Sequence, residues 1–191
     1  MAELSKRVGR INLTPRRLPP FQSLAHAIVH QQLSGQAAGT ILGRFQALFD
    51  GSQFPNPEDV IQADVERLRT AGLSRQKATY IRDLAQKTLD GAVPSLKECD
   101  RLTDAEIVAR LTSIKGVGRW TVEMLLIFNL GRPDILPVHD LGVRRGFQVA
   151  YRKRSIPEPE QLERFGRKWM PYRTTAAWYL WRAADFLKGE W

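Results

Sequence analysis

Cysteine, histidine and long apolar runs are all scarce in this chain, and each scarcity excludes something. The one cysteine among 191 residues, Cys99, rules out an internal disulfide and any Cys-only zinc or iron–sulfur site. A lone thiol fits a reducing compartment without proving one. Of the three histidines, His26 and His30 have the i, i+4 spacing of a helical metal pair. No Glu follows the first and no third ligand is evident, so surface or packing roles are expected for them. No run approaches the roughly 20 apolar residues of a membrane-spanning helix. Residues 1–10 are polar, without the apolar core of a signal peptide. A cytoplasmic protein without a membrane partner is expected. Sustained apolar–polar alternation, heptad seams, internal repeats and low-complexity tracts are also lacking, which argues against sheets, coiled coils and repeat arrays.

What is abundant is positive charge. Lys and Arg total 29 against 20 Asp and Glu, a formal net charge of +9, while 43% hydrophobic and 26% charged residues are ordinary for a folded protein. An excess of this size favours a polyanionic partner, most often nucleic acid, so a bacterial version would associate with the nucleoid. The plainer alternative is a basic surface with scattered charge.

Helical periodicity runs almost without interruption after Pro20. Leu24, Ala27, Ile28 and Gln31 share one face, and Ala38, Ile41, Leu42, Phe45 and Phe49 another. Asn56-Pro57-Glu58-Asp59 supplies a cap, a proline at the first helical position and acids in the first turn. A short helix after Asp64 stops near Gly72, and Ser74 caps the next, with Ala78, Ile81, Leu84, Ala85 and Leu89 on its apolar face. Thr103-Asp104-Ala105-Glu106 is a capping box. Further helices are expected over 119–130, 141–152, 158–169 and 173–187. The fold class is therefore all-α, with about ten helices. Residues 1–20, with Arg7, Arg10, Arg16 and Arg17 and two closing prolines, read as a basic N-terminal arm ahead of a domain over 21–191.

Between two of these helices lies Ile114-Lys115-Gly116-Val117-Gly118-Arg119-Trp120. Glycines two apart allow a tight reversal that turns backbone N–H groups outward. Those groups, the positive end of the next helix, and the charges of Lys115 and Arg119 would suit a phosphate. An ordinary turn between packed helices is the alternative, and a lone GxG would merit no more.

The stretch Leu111 to Met124 resembles the helix-hairpin-helix motif of the HhH-GPD superfamily of DNA glycosylases, placing that motif at about 105–130. Pro133 to Gly146 is similar to the family's Gly/Pro-rich loop and catalytic aspartate. Ile28 to Ser34, Gly72 to Ala78 and Lys168 to Arg173 also match, so that residues 21–185 follow the family's order and spacing. Within the superfamily the likeness is to the 3-methyladenine DNA glycosylase II (AlkA) branch. The resemblance implies two helical lobes with a DNA-binding cleft. It also implies that contacts made by the N-terminal domain of the bacterial AlkA enzyme are missing here.

By this resemblance Asp140 is the catalytic residue, although at the start of a helix it would also serve simply as an N-cap. An ionised carboxylate there can stabilise the oxocarbenium-like sugar formed as the base departs and can activate water. Relatives that also cut the backbone carry a nucleophilic lysine at the position of Trp120. Hydrolysis without strand cleavage is therefore expected. Trp120, Tyr172 and Met124 would line the base pocket, Met124 standing where the AlkA enzyme has tyrosine. Trp169, Trp178 and Trp181 are nearby candidates for which core packing is equally suitable. His139 has no assigned role.

Gln31, Gln32 and Leu33 match the segment that fills the gap left by a flipped base, with Gln32 at the wedge position; a polar helix end is the alternative. Lys115, Gly116, Val117, Gly118 and Arg119 would bind DNA. The backbone carbonyls of Thr112, Ile114 and Val117 resemble the family's site for a monovalent cation, Na+ or K+; no other cofactor and no iron–sulfur cluster is expected. The function so implied is a monofunctional glycosylase that removes alkylated purines such as 3-methyladenine and 7-methylguanine from double-stranded DNA, acting as a monomer. Two alternatives stay open: a non-catalytic helix-hairpin-helix DNA-binding module, and a glycosylase of the same fold for deaminated or etheno bases.

Overall fold

The computed structural model describes residues 2–49 and 53–185. Those residues are helical and irregular only, with no strand among them. Twelve α-helices follow in order: α1 (Ala2–Val8), α2 (Pro20–His30), α3 (Gly35–Ala47), α4 (Pro57–Gln62), α5 (Val65–Arg69), α6 (Arg75–Leu89), α7 (Leu96–Cys99), α8 (Asp104–Leu111), α9 (Arg119–Met124), α10 (Leu141–Ala150), α11 (Pro159–Gly166) and α12 (Arg173–Asp185). The two beyond the expected ten are α1 and α7. Residues 186 and 187, expected to end α12, lie outside the described residues.

Local chemistry sets many of the ends. Ser74 Oγ accepts the Lys77 amide at 3.2 Å and starts α6. Thr103 and Glu106 form the reciprocal box at α8: Thr103 Oγ1 accepts the Glu106 amide at 3.2 Å, and Glu106 accepts the Thr103 amide at 2.8 Å. The stretch expected as one α-helix over 119–130 differs: α9 ends at Met124, and Leu125–Leu130 is a π-helix. Leu125, Leu126, Ile127, Asn129 and Leu130 are all buried, and no single 3.6-residue face accommodates that set. The wider turn shifts the register. Likewise 158–169 divides into α11 and a 3-10 turn over Arg167–Trp169.

The chain forms two compact units, one of Arg17–Leu125 and the other of the residues up to Arg16 with those from Leu126 onward. In the first, α6 is central and packs on α2, α4 and α5. Leu24, Ile28, Phe45, Leu68, Ile81 and Leu84 are fully buried there. Burying such a side chain contributes roughly 1.5–3 kcal/mol.

In the second unit α10 packs on α12 around Leu136, Val143, Phe147, Leu162, Ala177 and Leu180. A β-carbon at Gly146 would collide with the Leu180 carbonyl, so only glycine permits so close an approach of these helices. The segment read as a basic arm is partly folded: α1 packs on α12, Leu4 is buried, and Tyr179 donates to the Gly9 carbonyl at 2.9 Å. No helix among the described residues is long and apolar enough to cross a membrane.

Candidate functional site

The hairpin between α8 and α9 is built on an aromatic seat. Gly116 has φ +80°, and the ring of Tyr80 fills the volume its β-carbon would need. Gln31 Nε2 donates to the Gly116 carbonyl at 2.8 Å. Two hairpin amides are committed internally: Lys115 N–H donates to Asp83 Oδ2 at 3.0 Å, and Val117 N–H donates to the Ile114 carbonyl at 3.1 Å. Among the described residues no acceptor stands opposite the Gly116 and Gly118 amides. Lys115 keeps a largely exposed ammonium 3.9 Å from Asp83. Arg119 turns back along α9 to the buried Glu123 at 3.0 Å, while its own side chain stays 66% exposed.

Beside the hairpin lies a pocket of about 640 Å3 that brings together Gln31, Gln32, Gly116, Trp120 and Met124, with Lys77 and Tyr80. Trp120 is 49% exposed. Leu33 is partly exposed next to this pocket's Gln32 but is not in its lining. Gln32 has φ +57°, a left-handed conformation that costs a non-glycine residue about 1–2 kcal/mol. Tyr172 belongs to the other unit, where it precedes α12 and is 66% exposed.

Asp140 also belongs to that unit and is the N-cap of α10. Its Oδ1 accepts two hydrogen bonds, from Val143 N–H at 2.8 Å and from Trp181 Nε1 at 2.9 Å. The carboxylate is thus oriented by its own helix and by α12. Trp181 is in turn stacked on Phe128 of the π-helix, ring centres 5.6 Å apart. The loop leading to Asp140 is tied down as well. Arg173 grips Asp134 through Nε at 2.7 Å and its second terminal nitrogen at 2.9 Å. Thr174 Oγ1 donates to the Arg132 carbonyl at 2.6 Å and accepts the Ile135 amide at 3.0 Å. The Arg173 guanidinium holds the Asp134 carboxyl below the usual carboxylate range, against the opposing effect of burial.

Of the other candidate tryptophans, Trp169 packs among Phe147, Tyr151 and Phe165, and Trp178 lies against Tyr179 and Arg182. His26 packs its edge on Phe54, and His30 Nδ1 lies 2.8 Å from the His26 carbonyl. No group of three or more His, Cys, Asp or Glu among the described residues could hold a metal ion. The Ile114 carbonyl spends one lone pair on the Val117 amide.

The model of the HhH-GPD superfamily base excision DNA repair proteins matches residues 25–172. The chain belongs to this superfamily. DNA-3-methyladenine glycosylase 1 of Schizosaccharomyces pombe is 40% identical over 190 residues, which span 97% of this chain and 83% of that protein. The solved DNA-3-methyladenine glycosidase of Bacillus halodurans gives a TM-score of 0.89 at 37% identity, covering 100% of this chain and 86% of that one. The Schizosaccharomyces pombe 3-methyladenine DNA glycosylase Mag1, solved with abasic DNA, gives 0.82 at 40% identity, covering 95% of this chain and 89% of that one. The HhH-GPD match takes in the hairpin, Asp140 and Tyr172 but ends before Trp181, a residue that only the folded structure connects to the carboxylate.

Proposed function

We propose that this HhH-GPD protein is a monofunctional DNA glycosylase that hydrolyses the N-glycosidic bond of alkylated purines in double-stranded DNA. The observation that carries the proposal is the carboxylate of Asp140, held through one oxygen by the Val143 amide and the Trp181 indole. A preorganised anion of this kind stabilises a sugar that becomes cationic as the base leaves, and it costs no reorganisation at that moment. The same carboxylate accepts a proton from the attacking water or orients it. A purine alkylated at N3 or N7 bears positive charge, so its departure needs little acid assistance, and normal bases are spared.

Trp120 suits the recognition of such a base, because a cation is attracted to an indole face and a flipped base is held by stacking. Met124 adds an apolar wall to the same pocket, and Tyr172 serves as a further aromatic contact. Gln32 and Leu33 fill the gap in the base stack. The amides of Gly116 and Gly118, with Lys115 and Arg119, contact the phosphate backbone. The carbonyls of Thr112, Ile114 and Val117 are the proposed ligands of a Na+ or K+ ion. Trp120 cannot form a Schiff base, so the product is an abasic site on an intact strand. The protein acts as a monomer.

Duplexes carrying 3-methyladenine, 7-methylguanine, ethenoadenine or hypoxanthine test this reading. Release of free alkylpurine by the wild type, abolished in Asp140→Asn with DNA affinity retained, is the expected result. Full turnover by Asp140→Asn, or a covalent protein–DNA adduct trapped by borohydride, would overturn it.

A further inference from the structure

Lys77 stands in the first turn of α6, yet its side chain serves a different helix. Nζ donates to the Val29 carbonyl at 2.7 Å and to the Gln31 carbonyl at 2.6 Å. Both carbonyls lie at the end of α2, where a helix has run out of amide donors and carries the negative end of its dipole. A lysine ammonium brings several donors and a full positive charge to such a place. No carboxylate lies within ion-pair distance of Lys77 among the described residues, so its charge is directed at backbone oxygens. Partial burial lowers the Lys77 pKa from its ordinary value, consistent with solvation given up for these carbonyls.

The residue after those carbonyls is the strained Gln32. A left-handed non-glycine residue persists only where its surroundings over-determine it, and here they do. The Gln31 carbonyl is held by Lys77, the Gln31 side chain by the Gly116 carbonyl, and the Leu33 amide donates back to the His30 carbonyl at 3.2 Å. Ser34 then caps α3 by accepting the Ala37 amide at 3.3 Å. What this scaffold displays is an exposed glutamine followed by a partly exposed leucine at the rim of the Trp120 pocket.

We propose that Lys77 is a positioning residue that fixes the Gln32–Leu33 turn in the shape in which it enters duplex DNA. The assignment rests on the proposed function only through the role of that turn as a wedge. Lys77 itself need not touch the DNA.

The test uses a duplex with 2-aminopurine beside a tetrahydrofuran abasic site, because 2-aminopurine brightens when its stack is opened. Binding is followed by anisotropy, fluorescence is read at saturation, and folding is checked by thermal melting. Wild type raises the fluorescence. At saturation Lys77→Met gives less than half of that rise, and Lys77→Arg, which keeps donors and charge, restores it. An undiminished rise with Lys77→Met, no rise with wild type, or a loss shared by Lys77→Arg would each overturn the proposal. If Lys77→Met melts below the assay temperature, Lys77→Gln, which keeps an amide donor without the charge, replaces it under the same criteria. Base release from methylated DNA by wild type is scored separately. Its absence sinks the glycosylase reading and leaves the fluorescence to decide the role of Lys77.

Discussion

The indole nitrogen of Trp181 donates to Oδ1 of Asp140 at 2.9 Å, joining residues 41 positions apart. One end of this link is a helix cap and the other a stacked ring, with Trp181 lying on Phe128. The carboxylate therefore has little freedom to turn. A hydrogen bond to a charged group contributes about 1.5–3 kcal/mol. Trp181→Phe, which keeps a ring against Phe128 but loses the donor, should slow single-turnover base release about tenfold or more, while leaving DNA affinity unchanged. Unaltered single-turnover rates would show that the Trp181 donor is not needed to orient Asp140.

Trp120 is half-exposed and lines the pocket it shares with Met124. Stacking on an aromatic is worth about 1–3 kcal/mol per base. Trp120→Ala should therefore weaken excision of cationic 7-methylguanine about tenfold or more, and Trp120→Phe should recover part of it. Competition between 7-methylguanine and neutral hypoxanthine in one reaction measures the selectivity. If Trp120→Ala slows both bases equally, the indole provides surface rather than charge recognition.

Arg173 and Asp134 anchor the loop that precedes Asp140 through three hydrogen bonds, one of them from the Arg173 amide. The folded carboxyl of Asp134 sits below its unfolded value of about 3.9. Its contribution to stability is therefore full above that unfolded value and is lost as pH falls through the folded one. Chemical denaturation should show Asp134→Asn less stable than wild type by about 1–2 kcal/mol near neutrality. The difference should narrow below about pH 4. A gap that persists into strong acid would mean that shape, not charge, holds the loop.

Gly146→Ala places a methyl group against the Leu180 carbonyl where α10 crosses α12. Overpacking of a tight crossing costs about 1–3 kcal/mol. Because α10 carries Asp140 at its start and α12 carries Trp181, the same change should lengthen the link between them. Both a lower melting temperature and slower base release are expected from one methyl group. Loss of stability with full activity would separate the helix crossing from the chemistry.

The helical class and most helix starts were legible because caps are local: Ser74, Thr103 with Glu106, and Asn56 act within three or four residues of themselves. Asp140 was legible as a cap for the same reason, since its side chain accepts the amide of Val143 three residues on. The π-helix was not, since Leu125–Leu130 has the composition of an ordinary buried α-helix. Trp181 and Lys77 act across 41 and 46 residues, and neither local propensity nor periodicity reports on partners so distant. α1, with seven residues, is stabilised by docking on α12 rather than by its own sequence.

Tyr80 has one further implication for anyone wishing to move this hairpin into another scaffold. Copying residues 112–118 alone would transplant the crown without the ring on which it rests. Any recipient must therefore supply a flat side chain from a neighbouring helix, at the height where Tyr80 meets Gly116. The portable unit is the loop together with α6, two pieces separated in sequence that have to travel as one.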